Sequence, residues 1–260
     1  RHLANVWRSA YLPELMTTAN PGLTPERFDA WIRDHLMRNS PYDRMVRELI
    51  LMPEPGAQGL RAGTVLFYQA KEGKPENAAA GVARSILGVR LECAQCHDHP
   101  FAKWKQEEFW SQAAFFADQL LPAPPGATST PPTPGKAELK IPGKEKTVAA
   151  RYLRGEAPQL APNRPAREAL VEWIVSPDNP YFARAAVNRI WRELFGAGIV
   201  NPVDDLDEQN PPSHPEVLEL LANEFTKSRY DLKHLIRIIG RTKASQLSSG
   251  WTDEHDERER

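Results

Sequence analysis

Cys93-Ala94-Gln95-Cys96-His97 holds the only two thiols in a chain of 260 residues. C-x-x-C-H is the attachment sequence of c-type haem. Two thiols three residues apart can form thioethers to both vinyl groups of one porphyrin edge. A histidine directly after the second thiol is then carried to the iron as its proximal ligand. The same residues admit other chemistry. A C-x-x-C pair can be a redox dithiol, usually at a helix N-terminus after a strand, and no strand is predicted ahead of Cys93. Cys93, Cys96, His97 and His99 also offer the donor types of a zinc site. Against zinc, His97 follows Cys96 too closely for easy tetrahedral closure, and there is no second C-x-x-C. A short match with two free positions can also carry no cofactor. The expectation is one covalent haem c, with iron on His97; zinc is the alternative cofactor.

Neighbouring residues extend this reading. His99 could orient the site, but two residues from His97 it does not readily reach the opposite face of the same ring. Trp104 and Trp110 are expected to wall the haem pocket. A second axial ligand could come from His35, His214, His234, Met37, Met45 or Met52; His214, at a helix start after a Pro-Pro turn, is the distal ligand retained in the candidate site. An iron left five-coordinate fits the sequence equally. Asp204, Asp205, Asp207 and Glu208 form an acidic loop without EF-hand spacing, read as a solvated turn. A hydrolase would require Asp204 and His214 to converge in one pocket.

The elements that must position these groups are helices. Residues 3–18 are apolar at helical spacing, with Pro13 as a break. Thr24 as N-cap and Pro25 as first helical residue open a second helix with Phe28, Trp31, Ile32, His35 and Leu36 on one face. Tyr42 to Leu51 carries Met45, Val46, Leu49 and Ile50; further helices are predicted over 76–87 and 106–118. Residues 121–136 are Pro-rich and read as a linker, and 137–141 with 146–153 as a small β-hairpin around Pro142-Gly143-Lys144. Helices return at 166–175 and 181–195. Ser213 and Glu216 match a capping box ahead of a helix burying Val217, Leu218, Leu220, Leu221 and Phe225, and Asp231 caps the last helix. The tail 252–260 is all charge and expected to be disordered.

The fold class is therefore mainly α: two helical units joined by a Pro-rich connector with a small β-hairpin. The expected boundaries are a haem-attachment domain over 1–120, a linker with the β element over 121–164, a second helical domain over 165–247 and a charged tail over 248–260. With 33 basic and 34 acidic residues there is no overall field favouring nucleic acid or an anionic membrane, and no apolar run approaches the roughly 18–20 residues of a membrane span. The chain opens at Arg1 without a signal-peptide core, so it reads as an excerpt or a processed product.

Two long motif sets point to known families. The run from Leu87 through Cys93, Cys96, His97, Asp98, His99, Pro100 and Phe101, ending in Ala113-Ala114-Phe115-Phe116-Ala117, resembles the planctomycete cytochrome-associated domain of unknown function fifteen-forty-nine. The stretch Ser176-Pro177-Asp178-Asn179-Pro180-Tyr181-Phe182-Ala183-Arg184, with Val187-Asn188-Arg189-Ile190-Trp191 and Asn210-Pro211-Pro212-Ser213-His214-Pro215-Glu216, is similar to its usual partner, domain fifteen-fifty-three. The chain would hold the C-terminal part of the first and the N-terminal part of the second. The resemblance implies an exported protein at the periplasm or cell surface, with haem rather than zinc and with other cytochrome domains or a redox partner nearby. Electron transfer or haem-based redox chemistry is the expected role; a structural-metal scaffold or binding module in polysaccharide degradation is the alternative. It also implies an aspartate after His-Pro-Phe, where this chain has Ala102. If that carboxylate orients His99, the orientation is lost here or supplied by Asp98.

Overall fold

The computed structural model describes residues 2–17, 25–53, 59–118, 137–153, 155–162 and 164–247. Seven helices come first: α1 (His2–Tyr11), α2 (Glu14–Thr17), α3 (Glu26–Met37), α4 (Tyr42–Leu51), α5 (Val65–Ala70), α6 (Pro75–Val82) and α7 (Gln106–Ala113). The antiparallel strands β1 (Glu138–Lys140) and β2 (Thr147–Ala149) follow, pairing Leu139 with Val148. Then come α8 (Ala166–Ile174), α9 (Phe182–Phe195), α10 (Pro215–Lys227) and α11 (Leu232–Ile239). The protein is mainly α-helical, as its periodicity predicts.

Each long helix buries one stripe and leaves the rest to solvent, which is what an apolar recurrence at three and four residues produces. In α4 the buried set is Tyr42, Met45, Val46, Leu49 and Ile50. In α10 it is Leu218, Leu221, Ala222 and Phe225, while Leu220 is 62% exposed. The expected burial of Leu220 is thus corrected: at 100° per residue it stands on the far side of the helix from Leu218. The expected capping box does not form either. Ser213 donates its hydroxyl to the Ile199 carbonyl at 3.0 Å, and α10 starts at Pro215 with His214 before it. Asp231 does cap α11, accepting from the His234 amide at 2.9 Å. Pro25 precedes α3 rather than opening it; Thr24, the linker 121–136 and the tail 248–260 lie outside the described residues.

Buried residues from both halves of the chain join one hydrophobic cluster. Its centre is aromatic. Tyr42 stacks on Phe182 with ring centroids 5.2 Å apart and lies 4.7 Å from Trp7. Backbone and side-chain bonds cross at the same place: the Tyr42 amide donates to the Tyr230 carbonyl at 2.9 Å, and Asn39 to Asp231 at 3.0 Å. Arg47 forms a two-pronged pair with Glu172.

Candidate functional site

The approach to the C-x-x-C-H loop is set by a helix that stops abruptly. After α6 the chain makes a π turn over Ala83–Leu87 and ends on Gly88 at φ +68°. That left-handed position favours glycine, and here an added Cβ would also press on Ala185 and Leu206. The expected helix over 76–87 is present over that span, with its last turn, Ala83–Leu87, widened from α to π. Val89 and Leu91 are buried, and between them Arg90 turns outward to Asp204, donating from Nη2 at 2.6 Å. Arg84 reaches the other Asp204 oxygen at 2.5 Å. Burial pushes Asp204 upward, but the two guanidiniums outweigh it and hold the carboxyl below its usual range. The expected solvated acidic turn is corrected for Asp204, which is buried and doubly ion-paired.

Cys93 then falls in a 3-10 turn, Glu92–Gln95, with Cys96 directly after it. Such a turn has three residues per revolution and eclipses side chains at i and i+3, so both thiols lie on one side. Both are exposed and neither is in a disulfide, while Ala94 between them is buried. The loop is held from beneath by α7. Trp110 donates its indole N–H to the Gln95 carbonyl at 2.9 Å, and the Gln106 amide nitrogen donates to Gln95 at 3.1 Å and Cys96 at 2.9 Å. Asp98 accepts the Gln106 backbone N–H at 3.0 Å and the Lys105 ammonium at 2.9 Å. The Gln106 amide first, and then Lys105, hold the Asp98 carboxyl below its usual range. From the hairpin turn, Lys144 donates to the Gln106 carbonyl oxygen.

The two loop histidines are in opposite states. His97 is exposed, with Nδ1 2.7 Å from the Asp98 carbonyl. A carbonyl only accepts, so the proton sits on Nδ1 and the Nε2 lone pair is left open, as in ligating histidines generally. His99 Nδ1 faces the Phe101 and Ala102 amides at 3.2 and 2.8 Å. Amides only donate, so Nδ1 accepts and the neutral ring carries its proton on Nε2. Backbone N–H groups thus orient His99; Asp98, the proposed substitute for a missing carboxylate, caps α7 instead.

Trp104 and Trp110 are 2% and 4% exposed; the Trp110 indole supports the loop through Gln95, and Trp104 meets it through its backbone carbonyl, which accepts from the His99 amide at 2.8 Å. Trp104 also lines a cavity of about 300 Å³ with Tyr181, Arg184 and Leu218; Cys93, Cys96 and His97 belong neither to it nor to two others of about 420 and 610 Å³. His214 is exposed beside Ser213, and the cavity that Asp204 lines does not include it. Of the other distal candidates, His35 is buried against Glu48 at 3.0 Å, Met45 is buried and Met37 is 73% exposed. Glu48 is drawn down to about 2, chiefly by the His35 bond. Among the described residues no three His, Cys, Asp or Glu side chains form a group able to hold a metal ion, so the zinc reading has no assembled donor set. The donors fit covalent attachment better: two exposed thiols on one side and an adjacent imidazole with Nε2 open. Gln106, which binds both loop carbonyls, carries no signal in the sequence beyond a polar helix start.

Fold and loop define a helical protein that presents an exposed C-x-x-C-H segment held by Trp110 and Gln106 of α7. Residues 1–120 match the family model PSCyt2, protein of unknown function (DUF1549), and residues 166–260 match PSD1, protein of unknown function (DUF1553). No curated protein and no solved structure matches it.

Proposed function

We propose that this chain is an exported c-type haem protein carrying one haem on Cys93 and Cys96, with His97 as the proximal ligand, and that it serves electron transfer or haem-based redox chemistry at the periplasm or cell surface. One observation carries the reading. The thiols lie one 3-10 turn apart on the exposed side, and the next residue has its Nδ1 proton committed to the Asp98 carbonyl, leaving Nε2 to bind. The PSCyt2 name, with its cytochrome association, supports the same reading. When bound, the haem would supply a one-electron iron couple. The chain's own residues do the rest. Cys93 and Cys96 anchor covalently, so retention does not depend on a deep pocket. Trp110 and Gln106 fix the backbone between the anchors, and the Asp98 carbonyl sets the His97 tautomer.

The test is a denaturing gel stained for haem peroxidase activity, using protein made with a cytochrome c maturation system. A stained band at the chain's own mass is expected, lost in the Cys93→Ser, Cys96→Ser double variant. Protein that folds but never stains would overturn the proposal. His97→Ala should keep the stained band and shift the Soret spectrum; an unchanged spectrum would remove His97 as ligand.

A further inference from the structure

The cavity of about 420 Å³ lies where α1 and α9 meet the π turn and the Asp204 loop, and none of its wall residues belongs to the C-x-x-C-H segment. Its volume is typical of small-molecule sites. Six ionisable side chains line it: His2, Arg84, Arg189, Arg192, Glu193 and Asp204. Five of them have ionic partners. Asp204 is taken by Arg84 and by Arg90 from outside the wall, and Glu193 lies 3.4 Å from His2 and 3.7 Å from Arg192.

Arg189 is the exception. It is 7% exposed and, among the described residues, forms no ion pair of its own; the carboxylate that acts on it from a distance is Asp204, already held by Arg84 and Arg90. Its contacts are one hydrogen bond to the Ser85 carbonyl at 3.3 Å and the face of Trp7, 5.9 Å from the guanidinium carbon. A guanidinium carries five N–H donors in a rigid fork, and most of these have no acceptor from the chain. Burying such a cation without a counter-charge is costly; here burial pushes its pKa down. A planar oxyanion is the partner that a guanidinium fork binds best, through two parallel hydrogen bonds. The wall's formal charges, three arginines against two carboxylates, leave one positive charge for it.

We propose that this cavity binds the oxyanion group of a small molecule, a carboxylate or a phosphate, with Arg189 at its base and Arg192 at its mouth. The site stands apart from any haem on Cys93 and Cys96, and its test does not depend on haem loading.

Isothermal titration at constant ionic strength, with inorganic phosphate and with succinate as probes and chloride as control, decides the matter. Saturable binding of one probe with Kd below about 1 mM is expected, and the probe that binds tells phosphate from carboxylate. Arg189→Gln should weaken it by at least about tenfold. Because Arg189 is buried, that variant can fail to fold. Arg192→Gln, at a side chain 49% exposed, then decides: about threefold weaker binding with an unchanged unfolding midpoint is expected. No saturable heat from either probe up to about 20 mM, equal binding of chloride, or Arg192→Gln binding as tightly as the parent would overturn the proposal.

Discussion

Gln106 joins the support of the loop to the loop itself. Its amide N–H groups serve the Gln95 and Cys96 carbonyls, its backbone N–H serves Asp98, and its carbonyl oxygen is served by Lys144. Truncation to alanine strands the Cys96 carbonyl and leaves the Gln95 carbonyl with Trp110 alone, and losses of this kind cost about 1–3 kcal/mol. Gln106→Ala should lower the urea midpoint accordingly and speed amide exchange from Ala94 to His97 more than elsewhere. His99→Ala acts differently: it removes the acceptor of the Phe101 and Ala102 amides. It should loosen 99–104 and leave the spectrum of the haem-loaded protein unchanged, because His99 Nδ1 is taken by two backbone amides and Nε2 carries the ring's proton.

At the scale of elements, the junction between the π turn and the loop before α10 rests on Asp204. Its folded pKa lies below the ordinary 3.8, so the two bridges contribute fully above that value and are lost as pH falls through the depressed one. Asp204→Asn should therefore cost about 1–3 kcal/mol at neutral pH, since hydrogen bonds to charged groups are worth that much. The gap to the parent protein should close as both are titrated into acid, followed by denaturant midpoints at each pH. Helix α4 was fully legible because its stripe recurs cleanly over ten residues. Helix α5 was not: Val65–Ala70 has six residues, too few to show a period, and Leu66, Phe67 and Tyr68 are buried in succession. The C-x-x-C-H motif announced itself by residue type and spacing. The state of its histidines did not, because it depends on backbone atoms whose positions only the folded loop fixes. Asp204 read as one of four acids in a turn, since its partners are more than a hundred residues away.

The described residues of both halves share one core, in which Tyr42 and Tyr230 each contact the rings of Phe182 and Phe225. Calorimetry should accordingly show a single unfolding transition, and two separated peaks would contradict the shared core. Tyr42→Ala should lower stability by about 3–5 kcal/mol, the range for truncating a buried aromatic. The shared aromatic centre also bears on inheritance. A recombination breakpoint in the Pro-rich stretch would leave each descendant with a bare ring face, Tyr42 and Trp7 on one and Phe182 and Phe225 on the other. Lineages that keep these two modules should keep them side by side, and a stand-alone copy of either should carry polar replacements at those four positions.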